Sequence, residues 1–307
     1  MRQSNKPVFL NWKGLLLWSN HFYGICTTLL TIEASSLLWN KIPSYYALSI
    51  IYFGTVVYYT FAYLRETQGD TNDERSSWYH ANKRYLMLRQ AFLIIGLIYI
   101  AFFKLDIVRL FFLKSLGFQC LLLFSCLLSF FYYLPNFNFK KIKPIRQYGV
   151  LKSVSIAWVW ATTCCLFPLL FLGQNESNNI FPSLHFLLFL TQLFVFILLL
   201  AILFDIKDLT IDKEALVNTL VLKYGVQQTI KKFAMPLIAI YFIISVVIYY
   251  LYHQTVLYLC SQVVLVLTIY FVISVIKKVK SIHYNILYID GLMIVKALIG
   301  IVYASYY

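Results

Sequence analysis

Carboxylates are scarce in this chain: 12 Asp and Glu stand against 26 Lys and Arg in 307 residues. Charged residues of all kinds make up 12% and hydrophobic ones 61%, where soluble domains carry about 25% and about 45–50%. Such a shortage of charge excludes a solvated globule. Cysteine is also sparse. Cys26, Cys120, Cys126, Cys164, Cys165 and Cys260 all fall inside apolar runs without the spacing of metal ligands, so they read as small buried hydrophobes. Neither an inverted repeat nor a pair of helices interrupted by Gly or Pro at mid-membrane depth is apparent, which argues against a transporter.

What remains is a succession of apolar runs, each long enough to cross a hydrocarbon core of about 30 Å. We read nine spans, near residues 17–39, 44–64, 88–104, 115–134, 150–172, 181–204, 233–252, 254–276 and 285–306. The third is the shortest. The expected fold class is an all-α integral membrane protein, with residues 1–307 forming a single transmembrane domain. Arg2, Lys6 and Lys13 precede the first run, which is too long for a cleaved signal and reads as a permanent span.

Lys and Arg alternate along the connections. Those before the odd-numbered spans, together with the segment ahead of the last span, hold 21 and the intervening ones hold 4, leaving Lys296 inside a helix. By the positive-inside rule the amino terminus lies inside and the carboxyl terminus outside, and we place the chain in a bacterial cytoplasmic membrane. The net charge of +14 therefore reflects topology and contact with anionic lipid, and it does not imply nucleic acid.

Eight of the twelve acids lie on two connections, residues 65–87 and 205–232, on the same cytoplasmic side. In the second, Asp205, Asp208 and Asp212 follow directly on an apolar run. On a continuous helix these spacings hold the three groups within a sector of roughly 60°, so that they converge on one ligand. Adjacent anions repel unless a cation joins them. Hard oxygen ligands suit Mg²⁺, which keeps several waters and binds through one or two carboxylates plus the phosphates of a substrate. A diphosphate site is the natural reading, the alternative being a solvated acidic loop beside Lys207, Lys213 and Glu214.

Glu66, Asp70 and Glu74 recur at four-residue steps in the first connection, although Gly69 and the surrounding QGDTND favour a turn over a helix. Arg75, Trp78, Asn82, Lys83, Arg84 and Arg89 follow as a basic and aromatic stretch able to hold phosphate oxygens. Lys140, Lys141, Lys143 and Arg146 read as a topology signal. Lys152 begins the fifth span, from which it can point inward. Glu33 and Lys296 are intramembrane charges that pair if the first and last helices meet. Asp290 lies near enough to a helix end to be hydrated. His21 reads as a packing histidine, and His80, His185, His253 and His283 show no ligand spacing.

The run Asp205, Asp208, Asp212, Thr219, Leu220 and Gly225 resembles the second signature of the UbiA superfamily of intramembrane prenyltransferases. Tyr132, Tyr133, Leu134 and Pro135, followed by Lys140 and Lys141, are similar to that family's tyrosine-proline turn and basic pair. The family's first signature, N-x-x-x-D-x-x-x-D, is not reproduced. Asn72 and Asp73 with Asn82 and Lys83 match only its ends, and Glu66, Asp70 and Glu74 supply acids without the Asn.

The resemblance implies a bundle of nine transmembrane helices around a lipid-open cavity, capped by the connections at 65–87 and 205–232. It implies Mg²⁺-dependent transfer of an isoprenyl group from an isoprenyl diphosphate to a small lipophilic acceptor, aromatic or otherwise. Asp205, Asp208 and Asp212 would be catalytic and bind metal, with Glu66, Asp70 and Glu74 as the second metal-binding arm. Lys83, Arg84 and Lys152 would hold diphosphate, and Tyr132 and Tyr133 would line the substrate cavity. The departure in the first signature motivates an alternative: a protein of the same fold that has lost transferase activity and binds a lipid or a protein partner.

The charge alternation yields a direct expectation. Reporter fusions at the amino and carboxyl termini are expected to report opposite sides of the membrane; the same side for both would require an even number of spans.

Overall fold

The computed structural model describes residues 14–66, 74–133, 144–172, 181–209, 213, 217, 219–276 and 282–306. All regular structure among them is helical: α1 (His21–Trp39), α2 (Tyr45–Glu66), α3 (Glu74–Ala81), α4 (Lys83–Tyr99), α5 (Ile107–Phe112), α6 (Leu116–Tyr133), α7 (Gly149–Cys165), α8 (Leu184–Lys207), α9 (Leu220–Thr229), α10 (Met235–Leu251), α11 (Val256–Ile276), α12 (Ile282–Ile289) and α13 (Gly291–Tyr306). Short 3₁₀ and π turns extend several of them.

Eight helical stretches among the described residues are long and apolar enough to cross a membrane. Helix α1 falls where the first of the nine expected spans was placed, but it is not among the eight. Its Thr27, Thr28, Thr31, Glu33, Ser35 and Ser36 dilute the apolar run. The Thr27 and Thr28 hydroxyls donate back to the helix, to Tyr23 O at 3.1 Å and Gly24 O at 2.8 Å, which satisfies them without water. The third span is longer than the sequence suggests, running from Lys83 to Lys104. Lys83 and Arg84 are exposed in its first turn, where long basic side chains reach back towards the polar boundary, and Arg89 is met by Thr60 of α2.

The chain divides into two compact units, residues 1–28 with 44–108, and residues 29–43 with 109–307. In the first, α2 packs on α4, and α3 turns back beside α4. Gly24 is required there: a Cβ would come within 2.8 Å of the Tyr52 ring.

In the second unit, α8 is the central helix, touching α7, α9, α10 and α12, while α6 packs on α7 and α11 on α10 and α13. About 72% of the apolar window of α8 is buried against 17% for α6, so α8 is walled by protein and α6 turns most of its surface to lipid. Ser183 starts α8 by accepting the Phe186 N–H at 3.2 Å, relieving one of the unpaired donors at a helix start. Cys164 and Cys165 are buried in α7, whereas Cys120, Cys126 and Cys260 are exposed on the apolar exterior. The expectation of uniformly buried cysteines is corrected accordingly: a thiol is apolar enough to face lipid.

Two intramembrane charges do meet. Lys296 Nζ donates to Glu33 Oε1 at 2.7 Å, with both side chains almost fully buried, and the ammonium lies 5.3 Å from the Phe189 ring centre. A Cβ on Gly300 would stand 2.5 Å from Glu33, so glycine makes room for the pair. Asp290, expected to be hydrated, is instead buried at the junction of α12 and α13, where its N–H donates to Ile286 O and its C=O accepts from Met293 N.

Removing one partner of a buried pair leaves a bare charge, so Lys296→Met is expected to cost about 3–5 kcal/mol. Adding Glu33→Leu should restore most of it. Thermal unfolding in detergent distinguishes these outcomes; a double variant as unstable as the single one would show that the pair is not the cause.

Candidate functional site

Helix α8 carries its apolar side chains unbroken to Phe204 and then presents Asp205 in its last turn. Asp205 is buried. Lys152 and Ser153, in the first turn of α7, close on it from the antiparallel neighbour: Lys152 Nζ lies 3.0 Å from Oδ1, and Ser153 Oγ donates to Oδ2 at 3.1 Å.

Both charges occupy the helix ends where the backbone opposes them. A carboxylate near a helix C-terminus adds to the negative end of the macrodipole, and an ammonium near an N-terminus adds to the positive end. Neither placement serves its own helix.

The sequence reading took Asp205, Asp208 and Asp212 as one face of a continuous helix, whereas helix α8 does not extend that far. Helix α8 stops at Lys207, and Asp208 is its C-cap, at φ −86° and ψ 11°, with its N–H bonded to Phe204 O. Burial against neighbouring helices holds α8 together, and polar chain takes over beyond Phe204. The Asp208 carboxylate is half-buried and lies 3.2 Å from Lys207 Nζ. That ammonium also lies over the Phe204 ring at 3.9 Å. Asp212 falls outside the described residues.

Thr219 and Gly225, which carried part of the family resemblance, have plain structural roles. Thr219 Oγ1 accepts the Leu222 N–H at 3.4 Å and caps α9. Gly225 takes φ 75°, a left-handed value that glycine adopts without steric cost, and so allows the chain to kink. Leu220 O accepts from Thr229 Oγ1 across that kink at 3.2 Å.

Among the described residues, no three His, Cys, Asp or Glu side chains gather as a ready-made metal cage. Asp205 and Asp208 nevertheless fit Mg²⁺ in kind. They are hard oxygen donors at a negative helix end, already drawing cationic groups, and this ion needs only one or two carboxylates from the protein.

Tyr132 and Tyr133 end α6, the first buried and the second half-buried, with their rings edge to face at 4.9 Å. The Arg146 guanidinium lies 5.6 Å from the Tyr133 ring centre.

In the first unit, Lys83 and Arg84 are exposed at the start of α4, lining with His80 and Tyr85 a depression of about 470 Å³. Helix α2 ends at Glu66 and α3 begins at Glu74. Asp70 and the side chains of Glu66 and Glu74 lie outside what the structure describes.

A buried polar cluster in this unit was only partly foreseen. Asn20, at φ 64°, donates to Thr60 Oγ1 at 3.0 Å and to Tyr79 Oη at 2.8 Å, and accepts from Arg75 Nη2 at 2.9 Å. Tyr79 donates to Trp18 O at 2.7 Å, and burial pushes its phenol above the ordinary tyrosine value. Arg75 lies flat over the Tyr63 ring at 3.4 Å. Arg89 donates to the same Thr60 hydroxyl at 2.9 Å. His21 packs on Tyr52, its Nδ1 2.8 Å from the hydroxyl, as a packing histidine should.

Arg75 is 7% exposed and, among the described residues, forms no ion pair. Amide and aromatic groups offset its charge only in part. The sequence flagged Arg75 and Arg89 as basic; only Asn20, which joins helices far apart in the chain, makes them one cluster.

No family model and no curated protein matches the sequence. Solved structures do match. A UbiA homolog from Archaeoglobus fulgidus bound to GPP and Mg²⁺ aligns with a TM-score of 0.60 at 14% identity, over 94% of this chain and 97% of that one. The same homolog bound to DMAPP and Mg²⁺ gives 0.59 at 14% identity over the same shares. A structure described as digeranylgeranylglyceryl phosphate synthase gives 0.56 at 16% identity, over 94% of each chain. The chain is thus a multi-pass, all-helical membrane protein with the UbiA fold.

Proposed function

We propose that this protein is a membrane prenyltransferase of the UbiA superfamily, moving an isoprenyl group from its diphosphate to a lipophilic acceptor. One observation carries the reading: a buried carboxylate, Asp205, stands at the end of the central helix of a fold whose solved examples include a UbiA homolog bound to Mg²⁺ with GPP or DMAPP.

Asp205 and Asp208, together with Asp212, would hold Mg²⁺. When bound, the ion supplies neutralisation of the charge that grows on a departing diphosphate. Ser153 fixes the orientation of the Asp205 carboxylate, as outer hydrogen bonds do for ligating acids. The apolar body of α8 would help to shield a reactive allylic group from water. Lys83 and Arg84 remain candidates for diphosphate oxygens, and Tyr132 and Tyr133 for cavity walls. We place the amino terminus on the cytoplasmic side of the membrane, on the strength of the charge alternation.

Arg75, a buried cation that meets an amide and a ring but no carboxylate among the described residues, favours the second reading, a UbiA-fold protein that binds a lipid or protein without transferring prenyl groups. Purified protein supplied with labelled geranylgeranyl or farnesyl diphosphate and a lipid extract separates the two. Transfer should require Mg²⁺ and fall on the order of 100-fold or more in Asp205→Asn. Unchanged turnover in that variant would refute the site, and absence of Mg²⁺-dependent diphosphate binding would favour the second reading.

A further inference from the structure

We infer that Lys152 is an internal counter-ion that a divalent metal must displace from Asp205, so that this lysine sets the metal affinity of the site. The inference rests on the metal-dependent reading above, and adds to it a role for a residue that the sequence assigned only to diphosphate.

The geometry divides the carboxylate. Lys152 takes Oδ1 at 3.0 Å and Ser153 takes Oδ2 at 3.1 Å. Loss of the ammonium therefore takes one cation away from Oδ1 while Ser153, itself buried, keeps the carboxylate in its orientation. Asp205 is fixed in the last turn of a buried helix. Lys152 is not: its side chain is 16% exposed, and it has a flexible four-carbon stem at the very start of α7.

A second ion pair in the same unit shows what a purely structural pair looks like here. Lys296 with Glu33 is sealed, with side chains 2% and 4% exposed, and no route leads its ammonium to water. Lys152 has such a route.

Charge balance supports the exchange. Asp205 and Asp208 each hold one ammonium, from Lys152 and Lys207 at 3.0 and 3.2 Å. A divalent ion brings two positive charges to these carboxylates, so it can take over at Asp205 the part that the Lys152 ammonium now plays. The electrostatic opposition between Lys152 and the α7 N-terminus further lowers the cost of releasing it. Once released, the ammonium can turn to an anionic oxygen, which couples arrival of metal to binding of a diphosphate.

The test is metal binding by the full chain in detergent or nanodiscs without substrate, using Mn²⁺ as a paramagnetic probe. Lys152→Gln is expected to tighten Mn²⁺ binding about tenfold, the scale on which a neighbouring opposite charge shifts the preference of a carboxylate. Lys152→Arg should restore the wild-type value. Equal or weaker binding by Lys152→Gln overturns the inference.

A second measurement needs no variant. An amine-reactive ester should label Lys152 several-fold faster in Mn²⁺ than in chelator, read by mass spectrometry; an unchanged rate overturns it as well. If wild-type protein binds Mn²⁺ and Asp205→Asn does not, while Lys152→Gln is unaltered, this inference alone fails. If none of them binds Mn²⁺, the metal-dependent reading fails with it.

Discussion

Charge is expensive inside an apolar bundle, and nearly every polar contact described above answers that cost. The ion pair between Lys296 and Glu33 is the plainest case, because it joins residues 263 positions apart and thereby ties the second half of α1 to α13. Removing two ions from water outweighs their attraction unless the geometry is good and the surroundings are polarisable. Here the contact is short, aromatic rings flank the ammonium, and Gly300 leaves space for the carboxylate. Gln192, which donates to Ser245 at 2.7 Å, and Tyr241, which donates to Gln262 at 2.6 Å, extend the same logic across α8, α10 and α11.

The same constraint gives the Asp205 cluster its meaning. Had the carboxylate served only to fasten α7 to α8, a buried hydroxyl pair would have done so without opposing either helix dipole. Instead, two acids crowd the negative end of a helix and borrow ammonium groups from neighbouring residues. The proposed Mg²⁺ site rests on that arrangement. The first unit has the opposite character: Arg75 and Arg89 meet around Asn20 and Thr60, and the amide and hydroxyl groups between them carry no formal charge.

Much of this was legible in the sequence for simple reasons. Long apolar runs announce helices in lipid whatever their neighbours, and Lys and Arg settle on connections, so spans and their order follow from local composition. Asp205 and Asp208 stood out because carboxylates are rare. Glu33 and Lys296 stood out as intramembrane charges, yet nothing local says that two residues at opposite ends of a chain will touch. The cluster around Asn20 was illegible for the same reason, since its members come from α2, α3, α4 and the turn before α1. The sequence also overstated the continuity of α8 past Lys207, because spacing alone does not reveal where packing ceases to support a helix.

The amino-acid sequence by itself determined that this chain lives in a membrane, that its structure is helical, and that its acids collect on two connections. Those properties depend on hydration of single residues and on periodicity within one segment, which neighbouring helices do not alter. Only the tertiary structure decided which charges meet: Lys152 with Asp205, Lys296 with Glu33, Arg75 with an amide and a ring. Electrostatic energy depends on separation in space and on burial, and packing of distant helices sets both.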